Sequence, residues 1–315
     1  MKVEEIKTIG IVGAGLMGHG IAQVFGIKGY RVNLYDKDQG ILESAPRRIC
    51  TNLHLFLELK LIEGSDMKCC LNNINLCRSM SALCSDVDVV IEAVTENLEV
   101  KRLVFAEMER FASQRTILCT NTSGIRVARI SESLKHKERV IGTHFWNPPH
   151  AVSCVEVIKG EYTSEETFQT ILDLMKKVGK EPVRVLKDIP GFLGNRLQLA
   201  FFREALSLVE KGIADPEDID RVVKYGFGSR LPFIGPFETM DLAGHDLGYE
   251  VQKYLFPELC SDLKPLNVLK RMVDDGLLGI KTGKGFYEWN EEKIRSIINR
   301  RDLGLLELAK IRNKV

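Results

Sequence analysis

Lys7-Thr-Ile-Gly-Ile-Val-Gly13-Ala-Gly15-Leu16-Met17-Gly18-His19-Gly20 is the stretch from which the fold can be read. An apolar run (Ile9, Ile11, Val12) leads straight into Gly13-x-Gly15-x-x-Gly18, and a helical segment follows from Ile21 to Phe25. A second short strand, Arg31 to Tyr35, ends at Asp36, 18 residues past the last glycine. Each part has a role in a dinucleotide-binding βαβ unit. Gly13 permits the tight turn, Gly15 lets backbone approach a pyrophosphate, and Gly18 lets the helix pack closely on the strand. The anion then sits at a helix N-terminus beside Leu16 and Met17, where free N–H groups and the helix dipole favour negative charge. Asp36 would accept hydrogen bonds from the adenosine ribose and repel a 2′-phosphate, which favours NAD over NADP, although the neighbouring Lys37 softens that argument. A glycine triplet alone more often marks a loop. The strand before it, the helix after it and the acid at the expected distance make it a nucleotide site.

With 315 residues the chain can hold two domains and a large core. Its 44% apolar and 28% charged residues are ordinary for a soluble protein. A net charge of +1 argues against a nucleic-acid surface and gives no general attraction to anionic membranes. No stretch approaches the roughly 20 apolar residues of a membrane span. Met1 to Lys7 has no apolar core of signal-peptide length, so a cytoplasmic location is expected. The eight cysteines include an adjacent Cys69-Cys70 pair and match no zinc spacing. Buried free thiols and no metal are the expectation.

Further along, Gly40 to Ile62 carries Ile49, Leu53, Phe56, Leu57 and Leu61 at helical spacing. Asp86 to Val94 reads as a buried parallel strand by its β-branched run, followed by Thr95-Glu96-Asn97 and a helix through Lys101 and Phe105. Strands are expected at Thr116–Cys119, ending at Asn121-Thr-Ser123, at Arg139–His144, at Cys154–Ile158 and at Val183–Leu186. A helix opens at the capping-box spacing Thr163-Ser-Glu-Glu166 and stops before Gly179. The alternation predicts an α/β fold, a Rossmann-like doubly wound and mostly parallel sheet over residues 1–188. Ligands bind beyond the carboxyl ends of such strands, where Glu96, Ser123 and His144 all fall. After Asp188-Ile-Pro-Gly191 the strand signals cease. Residues 189–315 are expected to form an all-helical C-terminal domain, with a long helix from Phe192 to Lys211 and another opening at Asp215-Pro216. Its apolar surplus makes it the expected site of homodimerisation.

A nicotinamide enzyme that oxidises an alcohol needs a group to take the hydroxyl proton, and histidine titrates near neutrality. Of the six histidines, His144 ends a strand in the expected cleft, with His150 as second choice. His19 should face the pyrophosphate region, His54 sits in a helix and His136 in a charged Lys-His-Lys. Glu156 lies 12 residues past His144, after a Pro-Pro reversal that can bring its carboxylate beside the imidazole. The alternative is a structural histidine and a surface glutamate.

Ordered matches across nearly the whole chain resemble the 3-hydroxyacyl-CoA dehydrogenase family. They are Gly13-Ala-Gly-Leu-Met-Gly18, Val90-Ile-Glu-Ala-Val-Thr-Glu96-Asn97, Asn121-Thr-Ser123, His144-Phe-Trp-Asn147-Pro148, Val155-Glu156-Val-Ile158, Pro190-Gly-Phe-Leu-Gly-Asn195-Arg196, Ile234-Gly-Pro-Phe-Glu238 and Gly283-Lys-Gly-Phe-Tyr287. The resemblance implies that His144 is the general base and Glu156 its orienting partner. Ser123 and Asn195 would hold the reacting oxygen, Glu96 and Lys101 would lie near the nicotinamide, and Asn147 would support the histidine loop.

Two departures bear on the substrate. Family members carry several lysines late in the first long helix, where they help hold the CoA phosphates. Here the chain reads Asn52-Leu-His-Leu-Phe-Leu-Glu58-Leu-Lys60, with Arg47 and Arg48 earlier. After the histidine, Pro149-His150-Ala-Val-Ser153-Cys154 replaces the usual Met-Lys-Leu. That form is similar to relatives acting on free acids or alcohols, including a pyridine-alcohol dehydrogenase of vitamin B6 degradation. Carnitine and gulonate dehydrogenases show that the scaffold can work without CoA, and lens λ-crystallin shows a structural use of it. Arg230 is a candidate for a substrate carboxylate, with a solvated arginine as the blander reading. The charged segment after Trp289 extends past the usual family end as an extra packing or dimer helix. The first expectation is interconversion of a 3-hydroxyacyl-CoA and its 3-oxo product, as in fatty acid metabolism. Its alternatives are the same chemistry on a non-CoA hydroxy acid or aromatic alcohol, and a cofactor-binding structural protein.

Overall fold

A computed structural model describes residues 1–312. In chain order it contains β1 (Thr8–Val12), α1 (Gly18–Gly26), β2 (Arg31–Tyr35), α2 (Gln39–Glu58), α3 (Gly64–Asn72), β3 (Ile74–Leu76) and α4 (Met80–Cys84). Then come β4 (Val89–Glu92), α5 (Leu98–Phe111), β5 (Ile117–Thr120), α6 (Val127–Ile130), β6 (Val140–Phe145), β7 (Cys154–Ile158), α7 (Glu165–Lys177) and β8 (Glu181–Val185). The rest is helical: α8 (Gly194–Glu210), α9 (Pro216–Tyr225), α10 (Pro236–Ala243), α11 (His245–Leu255), α12 (Asn267–Asp274) and α13 (Glu291–Arg312). The eight strands form one sheet in the order β3-β2-β1-β4-β5-β6-β7-β8, parallel except for the β6–β7 pair.

Alternation along the strands builds a core on each face. Ile9 and Ile11 of β1, Val89 and Ile91 of β4, and Ile117 and Cys119 of β5 pack with Phe25, Ile49 and Phe168 on one side. Val12, Val90 and Leu118 point the other way, toward Phe105, Val127 and Phe192. Helix starts follow side-chain capping, as at α2 and α7. Asp38 accepts from Ile41 N–H at α2, and Ser164, one residue later than the expected Thr163, accepts from Thr167 N–H at α7. The β4 strand is shorter than the apolar run that announced it, because beyond Glu92 the backbone turns to place Val94 N–H on the Glu92 side chain.

The described residues divide into two compact units, Met1–Asn195 with the segment from Asp302, and Arg196–Arg301. The stretch 189–195 stays with the first unit because Leu193 and Gly194 donate backbone N–H groups to Glu156. The end of α13 returns to it with Leu306 buried. The second unit is helical, with isolated β-bridges at Gly279, Lys284 and Glu288. It exposes Leu197, Phe202, Tyr225, Phe237 and Leu242. Among the described residues no helix is long and apolar enough to cross a membrane.

The turn after β1 depends on two glycines. Gly13 has φ +97°, and a Cβ there would meet Ala93 O at 2.6 Å. A Cβ on Gly18 would lie 1.6 Å from Gly13 O, which is backbone and cannot yield cheaply. Gly18→Ala is therefore expected to cost on the order of 3 kcal/mol by overpacking, seen as a fall of several degrees in Tm. A wild-type Tm would contradict the close helix–strand packing.

Candidate active site

The register of the one antiparallel pair sets His144 of β6 directly opposite Glu156 of β7. Residues opposed in this way project from the same face of a sheet. His144 Nδ1 lies 2.7 Å from Glu156 Oε2, and both side chains are buried. The other carboxylate oxygen, Oε1, accepts N–H groups from Leu193 and Gly194, each at 2.9 Å. Glu156 thus caps the N-terminus of α8, where the dipole favours an anion. Burial alone would push its pKa up, but the His144 hydrogen bond and the two backbone N–H groups outweigh that and hold it below the usual carboxylate range.

Close approach of α8 needs the absence of a side chain at Gly194, where a Cβ would strike the Trp146 ring at 2.2 Å. Phe192, fully buried, takes φ +49°, a conformation uncommon for a large side chain. Its ring and that of Trp146 flank the imidazole, at centroid distances of 6.0 and 5.2 Å. A proton on Nδ1 would be donated to the carboxylate and would leave Nε2 as the ring's acceptor.

A second cluster forms past β4 and β5. Lys101 Nζ lies 2.7 Å from Glu92 Oε1 and 3.3 Å from Glu96 Oε2. Glu96 Oε1 accepts from Thr122 Oγ1 at 2.5 Å, Ser123 N–H at 3.0 Å and Gly124 N–H at 3.2 Å. Burial acts to raise the Glu96 pKa, yet the Thr122 hydrogen bond and Lys101 keep it lowered. Asn195 Nδ2 donates to Ser123 O at 2.6 Å, so these two expected substrate contacts also fix one another. Asn147 is exposed at the end of the histidine strand. Asn121, buried, accepts Phe145 N–H at 2.8 Å and ties the serine loop to the histidine strand.

The glycine loop meets the requirements of a dinucleotide. A Cβ on Gly15 would meet nothing within 4 Å, so backbone there borders open space, and Leu16 is exposed beside it. Asp36 Oδ2 accepts Ala14 N–H at 2.7 Å, bracing the loop while keeping lone pairs for ribose hydroxyls. Arg48 Nη2 donates to Ala14 O at 2.6 Å. His19 is buried with Nδ1 2.7 Å from Gly15 O. The second-choice base, His150, lies on the α2 side, with Nδ1 3.3 Å from Asn52 Nδ2.

Several contributors escaped the sequence reading: Glu92, Thr120, Thr122 and the N–H groups of Leu193 and Gly194. A glutamate inside a β-branched strand was the available signal for the first, since a buried acid requires a partner. The backbone donors leave no mark in side-chain patterns.

Residues 8–189 match the profile of the 3-hydroxyacyl-CoA dehydrogenase NAD-binding domain, and 191–289 that of the same family's C-terminal domain. A probable 3-hydroxyacyl-CoA dehydrogenase of Caenorhabditis elegans is 38% identical, covering 91% of this chain and 94% of its own. The crystal structure of a 5-formyl-3-hydroxy-2-methylpyridine 4-carboxylic acid 5-dehydrogenase, described as an NAD+-dependent dismutase, superposes with a TM-score of 0.91 at 32% identity. That match covers 97% of this chain and 98% of the other. The (S)-3-hydroxybutyryl-CoA dehydrogenase of Ralstonia eutropha matches with a TM-score of 0.77 at 32% identity, over 91% and 100%. With both of its domain profiles matched in order, the chain belongs to the 3-hydroxyacyl-CoA dehydrogenase family and is an NAD-dependent dehydrogenase acting on a CH–OH group.

Proposed function

We propose that His144 is the general base that takes the hydroxyl proton during oxidation and returns it during reduction, with Glu156 as its orienting partner. The observation that carries this is the 2.7 Å contact between their side chains within a buried strand pair. The Glu156 carboxylate fixes the Nδ1–H tautomer and offsets the charge that forms when Nε2 is protonated. Its own charge is secured by the Leu193 and Gly194 N–H groups. NAD, when bound, accepts the hydride from the carbinol carbon. Gly13, Gly15, Leu16, Met17 and Gly18 would cradle its pyrophosphate, and Asp36 would hold the adenosine ribose. Glu96, Lys101, Ser123 and Asn147 would serve the nicotinamide end. Ser123 and Asn195 would also hold the reacting oxygen. Asn195 spends one N–H on Ser123 O and keeps its second N–H and its carbonyl for substrate.

For the substrate, the residues favour a small hydroxy acid or pyridine-type alcohol without CoA over the 3-hydroxyacyl-CoA first expected. Late α2 offers Leu55, Phe56, Leu57 and Glu58 where a CoA phosphate needs cations. Arg48 cannot substitute, because its guanidinium is committed to Ala14 O and Ile41 O. Arg47 on that helix and Lys60 just past its end stay exposed, a sparse cationic set for a CoA phosphate. The similarity over 97% of the chain to a pyridine-carboxylate dehydrogenase supports the same choice. The 3-hydroxyacyl-CoA reading stands second, supported by the family profiles. The exposed apolar residues of the second unit support a homodimer.

Three outcomes are expected. With NADH absorbance as readout, kcat/KM for a free hydroxy acid or pyridine alcohol should exceed that for 3-hydroxybutyryl-CoA by at least about tenfold; the reverse order would restore the CoA substrate. His144→Ala should lower kcat by about 1000-fold with NADH binding nearly unchanged, whereas loss of both would mark a structural histidine. Glu156 has a lowered pKa in the folded state, so its contribution to stability is present above the unfolded value and lost as pH falls through the folded one. The Tm gap between wild type and Glu156→Gln should accordingly be full at neutral pH and begin to shrink only once pH falls below about 4. A gap that does not change with pH would contradict a charged Glu156.

A further inference from the structure

Glu92 ends β4, the strand flanked on both sides by β1 and β5, and it is fully buried at the carboxyl edge of the sheet. A carboxylate in that position must be neutralised and hydrogen-bonded or it destabilises the fold. Here Oε1 accepts from Lys101 Nζ and from Val94 N–H, both at 2.7 Å, and Oε2 accepts from Thr120 Oγ1 at 2.7 Å. Lys101 is equally buried, and its second contact is Glu96 at 3.3 Å. Glu96 in turn gathers Thr122, Ser123 and Gly124. An unbroken line of polar contacts thus runs from the centre of the sheet to the loop that carries Ser123.

We propose that Glu92 is a positioning residue: it fixes the ammonium of Lys101, and through Lys101 it fixes Glu96 and the Thr122–Gly124 loop at the nicotinamide end of the site. A purely structural pair would be replaceable by apolar groups of similar size at little cost. The geometry has a feature that structure alone does not require. Lys101 is shared between a fully buried carboxylate and one that is 42% exposed. Without Glu92, the only remaining counter-charge is the one that borders solvent. Burial pushes the Glu92 pKa up against the pull of Lys101, Thr120 and the Val94 N–H. The charged groups facing this centre are Lys101 from α5 and Glu96 from the turn between β4 and α5, while β5 contributes the Thr120 hydroxyl.

The proposal rests on the reading that Glu96 and Lys101 serve the cofactor, and its test separates the two. NADH affinity of the protein is measured by fluorescence at neutral pH in wild type, Glu92→Gln, Glu92→Asp, Thr120→Val and Lys101→Met, with Tm measured in parallel. Glu92→Gln keeps the shape but removes the charge, and it should weaken NADH by about tenfold. Glu92→Asp, which restores the negative charge beside Lys101, should recover most of that affinity. If Glu92→Gln fails to fold, Thr120→Val provides the same reading through a loosened carboxylate, with a smaller loss of affinity. A lowered Tm with wild-type affinity in Glu92→Gln or Thr120→Val, or a Glu92→Asp no tighter than Glu92→Gln, would overturn the proposal. Unchanged NADH binding in Lys101→Met would overturn the reading beneath it instead.

Discussion

A carboxylate held entirely inside a sheet constrains everything around it, and in this protein that group is Glu156. Its burial would favour the neutral acid. Three hydrogen bonds, one from an imidazole and two from backbone N–H groups, reverse that preference. Each donor imposes a condition on the chain. The imidazole requires β7 to run antiparallel in the register that opposes residue 156 to residue 144. The backbone donors require the chain to pass over the sheet after Pro190 and to begin a helix there, with glycine at 194 to clear Trp146. The left-handed backbone at Phe192 fits the same requirement, since the segment must turn sharply while keeping that ring against His144.

The parallel part of the sheet supplies the complementary half of the site. Strands β1, β4, β5 and β6 all end on one edge, so the glycine loop, Glu92 with Glu96, Asn121 with Ser123, and His144 arise at neighbouring strand ends. This is the edge at which doubly wound sheets bind ligands. The side chains there are held largely by one another. Asp36 accepts the Ala14 N–H and Arg48 donates to the Ala14 carbonyl, Asn121 holds Phe145, and Glu96 holds three groups of the serine loop. Such mutual bracing holds these side chains in place without a ligand to order them.

Much of this was legible in the chain before any coordinates. The glycine spacing pointed to the first βαβ unit, and the β-branched runs located β4 to β8 to within about three residues, while the short strand β3 (Ile74–Leu76), with only two apolar residues, carried no such run. The 12-residue interval between His144 and Glu156, interrupted by two prolines, allowed their pairing beside a structural reading, and the family resemblance favoured it. Periodicity reports which side of an element is apolar, so it located the core well. It does not report what a polar group inside an apolar run is bonded to, which is why Glu92 read as one more strand residue. Nor could it foresee that Arg48, one of two arginines available to offset the missing lysines, is spent on the glycine loop. The fold boundary had a similar cause. Loss of strand signals marks 188, but the backbone hydrogen bonds of 193 and 194 keep the chain with the first unit for several more residues.

The claim on which the mechanism turns is that Glu156 selects one form of a neutral imidazole. Nitrogen NMR of His144 in labelled protein, recorded where the ring is uncharged, tests it most directly. The account predicts a protonated Nδ1 and a bare Nε2, with that preference lost in Glu156→Gln. A ring carrying its proton on Nε2 in the wild-type protein would contradict it.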